Sequence, residues 1–184
     1  MTADWSKVEL GAVIAIENPV AGTQNFCVPF VPDSIDHLLL RLLQEDAGRT
    51  LRELGDQVGL SPSAIQRRIR GYRASGVIAR EVAVLDAREL GPTTLTVVLV
   101  TLERESVEHH TAFRERMLAE PRVQQCYDLA GQWDYVVVLV AGSLVECRAL
   151  SDRLFMDDEN VRRYDTLPVL DAVKTGSVVP LPES

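Results

Sequence analysis

Apolar residues change their spacing once along this chain, near residue 93, and the change divides it. From Ile35 to Tyr72 they recur every three or four positions, the period of helices with one buried face. Ile35, Leu39, Leu42 and Leu43 make a first stripe, opened by Asp33 as N-cap and closed by Gly48. Leu51, Leu54 and Val58 make a second. Thr50 and Glu53 stand at capping-box spacing before it, and Gly59 suits a left-handed position after it. Ser61 and Pro62 restart the chain as N-cap and first helical residue, with Ile65, Ile69 and Tyr72 as the buried stripe. Gly55 leaves room where two helices cross. Two short helices with a tight turn between them, behind a third, form a helix-turn-helix, whose second helix lies in the DNA major groove.

Beyond the helices, residues 77–85 alternate loosely and read as a strand or short wing. Gly91 and Pro92 end the linker that follows. Thr96 to Leu102 is then a β-branched run, hence a buried strand. Ser106 to Glu120 is helical, with Phe113 and Met117 one turn apart and Pro121 closing it. Val123 to Leu129 and Tyr135 to Val140 read as strands about a turn at Gly131, Gln132 and Trp133. Ser143 caps a helix, Glu146 completes its box, and Leu144, Cys147, Leu150 and Leu154 form its stripe. A last strand covers residues 163–173, bent or edge-placed at Pro168. The order β-α-β-β-α-β predicts a ferredoxin-like half and an α+β chain. A small sheet with helices on one face leaves the other bare, which predicts dimerisation. Thr96, Val98 and Val100 fall on that bare face or in the core.

The domains expected are an arm over residues 1–32, a helix-turn-helix head over 33–80 and a linker over 81–92. A body over 93–176 and a tail over 177–184 complete the chain. The arm carries apolar runs broken by Asn18-Pro19, Gly22, Pro29 and Pro32, which suits an extended strap on another subunit or a two-stranded hairpin, with a poorly ordered tail as the alternative.

Charge sharpens the reading. The 184 residues carry a net charge of -8, against the usual basic balance of a DNA binder. From Ser61 to Arg80, however, there are five arginines (Arg67, Arg68, Arg70, Arg73 and Arg80) and no acid. The field is local, a basic helix on an acidic body. Cys27, Cys126 and Cys147 are widely spaced, with neither zinc-ligand nor disulfide spacing. His109 and His110 lack a third ligand nearby, and no phosphate loop or catalytic-triad order is found, so no metal, cofactor or enzymatic site is expected. No window reaches the about 20 apolar residues of a membrane span, and the N-terminus lacks a basic signal region, so a cytoplasmic chain is expected.

With the stripe of the third helix inward, Ser63, Gln66, Arg67 and Arg70 face out. Arg67 suits guanine and Gln66 adenine, while Ser61, Ser63 and the helix start suit phosphate. Arg68 lies nearer the stripe and is a candidate to pair with an acid. At the other end of the chain, Gly131 leaves exposed amides for a carboxylate and Asp134 an acid for an ammonium group, a pairing that suits a free amino acid. An Asp in an ordinary β-turn is the alternative.

Residues 33–36 (Asp-Ser-Ile-Asp), 43–49, 58–63 with Arg67-Arg68, 76–78 (Gly-Val-Ile), 126–135 and Arg163, Thr166, Leu170, Val173-Lys174 and Pro180-Leu181 occur in an order that resembles the Lrp/AsnC family of transcription regulators. The resemblance covers Asp33 to Leu181. Gly71 inside the recognition helix, Tyr72 for a usual Leu, the acidic body and the arm depart from it; Gly71 costs about 1 kcal/mol relative to Ala. The resemblance implies a sequence-specific, nucleoid-associated regulator of double-stranded DNA, dimeric and assembled further, as the family's octamers are. It implies an amino-acid effector near the Gly131–Asp134 turn, between dimers, with Thr166 as a second polar contact, where Trp133 either walls the pocket or simply packs. Two alternatives share parts of this reading: a haem-biosynthesis decarboxylase-like enzyme of the same architecture, and an architectural DNA protein without effector.

Overall fold

The computed structural model describes residues 30–86 and 89–182. The described residues form two compact units, a head over 30–81 joined by 180–182, and a body over 82–179. The proposed arm lies outside the described residues except at its end, where Phe30 packs edge-on against Tyr72 of its own chain (ring centroids 5.5 Å apart).

The head holds α1 (Ser34–Glu45), α2 (Leu51–Val58) and α3 (Pro62–Ala74). Capping accounts for each start. Asp33 caps α1 and exchanges bonds with Asp36; Thr50 and Glu53 do the same for α2. The Ser61 hydroxyl accepts the Ala64 amide at the head of α3. Gly59 ends α2 in the left-handed region (φ 72°). The end of α1 falls at Asp46, before the expected Gly48, because the Asp46 amide bonds to Leu42 and its side chain takes the Gly48 amide. Leu39, Leu42, Leu54, Ile65, Ile69 and Tyr72 bury a shared core, with Leu181 of the tail against it. Gly55 is required by the turn itself, since a Cβ there would strike the Leu60 carbonyl oxygen. Gly71 does not end α3, which runs on to Ala74.

The body holds β1 (Thr94–Leu102), α4 (Val107–Ala119), β2 (Val123–Asp128), β3 (Tyr135–Ala141), α5 (Leu144–Ser151) and β4 (Val161–Pro168). The sheet is antiparallel in the order β2-β3-β1-β4, the ferredoxin-like arrangement. One face packs on the helices through Val98, Val100, Val137, Leu139, Phe113, Met117 and Phe155. Thr96, Val98 and Val100 are thereby settled in the core. Alternation then puts Leu95, Val97, Leu99, Val136, Val138 and Val140 on the opposite face, each half-buried with no helix of the described residues packed over it.

Four local expectations are corrected. No strand or wing forms among the described residues of 77–86; Val82, Val84 and Leu85 are exposed without ladder partners. The box at α5 is incomplete, because Glu146 takes the Gly142 amide rather than that of Ser143. Leu144 at the first turn is exposed, and a π-helical turn over Asp152–Met156 rotates the stripe so that Leu154 and Phe155 are both buried. The last strand ends at Pro168, whose ring cannot extend the ladder.

Candidate functional site

The α3 surface is divided by what binds its arginines. Arg68 is fixed. Its Nη1 and Nη2 fork onto Oδ1 and Oδ2 of Asp33 (3.2 and 2.9 Å), and Nη1 also pairs with Oδ1 of Asp36. Such a bidentate pair is directional as well as charged. Asp36 is buried, and Oδ1 also accepts the Tyr72 hydroxyl at 2.5 Å. The Asp33 carboxylate is held below its ordinary range, chiefly by the Arg68 hydrogen bonds. The Arg68 guanidinium is correspondingly raised. Burial, and then the bond to Asp36, raises the Tyr72 phenol. This group was legible only in part: the departure at Tyr72 and the candidate pairing of Arg68 belong to one network, and Asp36 is its shared acceptor.

Arg67 precedes Arg68 by one residue on α3, about 100° around the axis, and is exposed. Ser61, Ser63, Gln66, Arg67 and Arg70 are all exposed. Gln66, Arg67 and Arg70 make no hydrogen bond or ion pair among the described residues. The Ser61 and Ser63 hydroxyls lie 3.1 Å apart beside the first turn of α3. On one flank Gln66, Arg70 and Arg73 line a cleft with Arg49, Leu51 and Leu54. Arg73 and Arg49 are additions to the expected set.

The turn in the body is built differently from its prediction. Asp134 Oδ2 accepts the Leu102 amide at 2.7 Å, and the Asp134 amide donates to the Val100 carbonyl at 2.9 Å. The carboxylate thus ties the start of β3 to the end of β1, with Oδ1 left for another partner. Gly131 is exposed, is not in the left-handed region, and would meet nothing within 4 Å with a Cβ added. Nothing among the described residues demands glycine there. Trp133 stacks beneath the Arg163 guanidinium, 4.6 Å from its ring centre, and Arg163 also pairs with Asp165 at 2.7 Å. Thr166 is exposed but is not brought to this turn. It sits opposite Val98, three register positions from Arg163, which sits opposite Thr101. Arg163 is the β4 residue that reaches Trp133.

Among the described residues no group of His, Cys, Asp or Glu is placed to hold a metal ion, and no helix is long and apolar enough to cross a membrane. Cys126 is packed against the body core, where burial pushes its thiol up to about 11. The Cys147 thiol is buried on the Thr96 hydroxyl at 3.1 Å.

A capped helix-turn-helix with free polar groups on its second helix, followed by a ferredoxin-like body, defines a transcriptional regulator with separate DNA-binding and ligand-binding parts. The AsnC-type helix-turn-helix domain matches residues 33–73, and the Lrp/AsnC ligand binding domain matches residues 95–179. The chain belongs to the Lrp/AsnC family. It is 31% identical over 151 residues to the transcriptional regulator AzlB of Bacillus subtilis, across 82% of this chain and 96% of that one. An AsnC family transcriptional regulator from Agrobacterium tumefaciens has the same fold with a TM-score of 0.76 at 28% identity, over 81% of this chain and 97% of that one. A transcriptional regulator from Neisseria meningitidis, solved in complex with L-Met, also has a TM-score of 0.76, at 23% identity, over 82% and 97% of the two chains. The domains matched are an AsnC-type helix-turn-helix and an Lrp/AsnC ligand-binding domain, and the relatives that share them are named as transcriptional regulators.

Proposed function

We propose that the chain reads double-stranded DNA in a sequence-dependent way through the outer face of α3, and that an amino acid bound at the body alters how its heads are presented. The observation that carries the first part is the contrast between neighbours: Arg68 is consumed by Asp33 and Asp36, while Arg67 and Arg70 are exposed and unpaired among the described residues. Arg67 and Gln66 then meet base edges, and Ser61, Ser63 and Arg70 hold phosphates. Arg67→Ala should weaken selected sites by about 1–3 kcal/mol and relax specificity at one base pair. Equal loss on selected and random duplexes would remove Arg67 from base reading.

The protein acts as a homodimer, and dimers join further. The open sheet face supports this, with its six half-buried aliphatic side chains and, among the described residues, no helix above. The effector site is the Gly131–Asp134 turn with Trp133, completed by polar groups of another copy; Thr166 contributes to such a composite site rather than to the turn of its own chain. The L-Met complex of the Neisseria regulator supports a free amino acid as ligand class. Such a ligand acts only through different affinities for two assemblies. Calorimetric titration with a panel of amino acids tests this. Intact DNA binding with no amino acid bound would favour the architectural alternative.

A further inference from the structure

The cleft on the flank of α3 holds more positive charge than base reading requires. Arg49, Arg70 and Arg73 converge on it with Gln66, from the start of α2 and successive turns of α3. Arg70 has no partner among the described residues. Arg49 is held by Glu45 at 2.9 Å. Arg73 is the unusual one. Its Nη2 donates to both carboxylate oxygens of Glu81, at 2.9 and 3.0 Å, and Glu81 itself lines the cleft. Both side chains are about half exposed, at 54% and 41%. Glu81 therefore presents two anionic oxygens to an arginine of the recognition helix, as a DNA phosphate would. It lies just past the five-arginine, acid-free stretch, one residue beyond Arg80.

Resting on the DNA-binding reading above, we infer that Arg73 is a further phosphate contact of the head, and that Glu81 occupies it in the absence of DNA as an internal competitor. Binding exchanges one carboxylate partner for a phosphate. The exchange is possible because the pair is solvent-exposed and weak, in contrast to Arg68, which is tied to the buried Asp36. Its cost is charged against DNA of every sequence alike, so Glu81 sets the affinity and Arg67 the selectivity.

The test uses the full chain and a fluorescent duplex of mixed sequence, titrated from roughly 50 to 200 mM salt. Arg73→Ala should reduce the slope of log K against log salt by about one per head. Glu81→Gln should tighten binding about two- to fivefold per head at low salt. In the Arg73→Ala background, Glu81→Gln should then have no further effect. Equal tightening by Glu81→Gln with and without Arg73 would overturn the inference, because general repulsion between an acid and DNA does not need Arg73. An unchanged slope in Arg73→Ala, with wild-type binding still salt-dependent, would overturn it alone. Absence of any binding by the wild-type chain would remove the DNA-binding reading and this inference together.

Discussion

The Tyr72 hydroxyl donates to Asp36 Oδ1 at 2.5 Å, joining the recognition helix to the first helix across 36 positions of sequence. The same oxygen receives Arg68, so one buried carboxylate fixes two residues a turn apart on α3. That fixes the rotation of α3 about its own axis and so which of its arginines face out. Asp36→Ala leaves a buried phenol and a partly buried guanidinium short of an acceptor. It should destabilise the head by about 2–4 kcal/mol. Tyr72→Phe removes only one bond and should cost about 1–1.5 kcal/mol. Urea unfolding measures both. Losses within 0.5 kcal/mol of zero, about the size of an ordinary surface substitution, would mean the network is incidental.

Two glycines of the head should respond in opposite directions to the same substitution. A Cβ at Gly55 collides with the Leu60 carbonyl oxygen, which is backbone and cannot swing away. Gly55→Ala should therefore cost about 1–3 kcal/mol. At Gly71 an added Cβ meets nothing within 4 Å, and the residue is helical. Gly71→Ala should stabilise by about 1 kcal/mol. Thermal melts of the two variants side by side give the signs directly; two shifts of the same sign would refute the assignment.

Much of the head was legible because its signals are local. Thr50 with Glu53, Gly59, and Ser61 with Pro62 each specify a cap or a turn within four residues, and all of these form as read. The β-α-β-β-α-β order followed from periodicity in the same way. What escaped was set by tertiary context. Asp36 has the spacing of a first-turn acid, yet its burial depends on Arg68 and Tyr72 more than 30 residues away. The alternation over residues 77–85 had the composition of a strand, but among the described residues no strand lies beside it to complete a ladder. Leu144 fitted a helical stripe by spacing, but it stands in the first turn of α5, where nothing among the described residues covers it. Thr166 and Arg163 are both polar positions on one strand, and only the register shows which reaches Trp133.

Acid should loosen the head through its exposed caps. Arg68 holds the Asp33 carboxyl below its ordinary 3.8, and Thr50 holds Glu53 below 4.5. A depressed carboxyl is bound more weakly by protons in the folded chain than in the unfolded one. Its stabilising effect is complete above the unfolded value and disappears as pH falls through the folded one. The urea midpoint should thus be steady above about pH 5 and fall progressively below it. Asp33→Asn with Glu53→Gln should start lower at neutral pH and slope less in acid. A slope identical to that of the wild type would place the acid sensitivity elsewhere.

Asp134 carries two duties that a single substitution would confuse. Its Oδ2 satisfies the Leu102 amide at the end of β1, so Asp134→Ala strips a strand-end bond whether or not a ligand binds. That variant should lose about 1–2 kcal/mol of stability in the absence of any amino acid. Loss of effector response in it would therefore say little about direct contact. Gly131 separates the duties. Its side-chain direction is empty in this chain, so Gly131→Val should leave the melting temperature of the free protein within about 2 °C of wild type. If the ligand's carboxylate approaches the backbone there, the added isopropyl group blocks it, and amino-acid binding by calorimetry should fall at least about tenfold. Unchanged affinity in Gly131→Val, with the Asp134→Ala loss confined to stability, would move the effector away from this turn and leave Asp134 as a strut between β1 and β3.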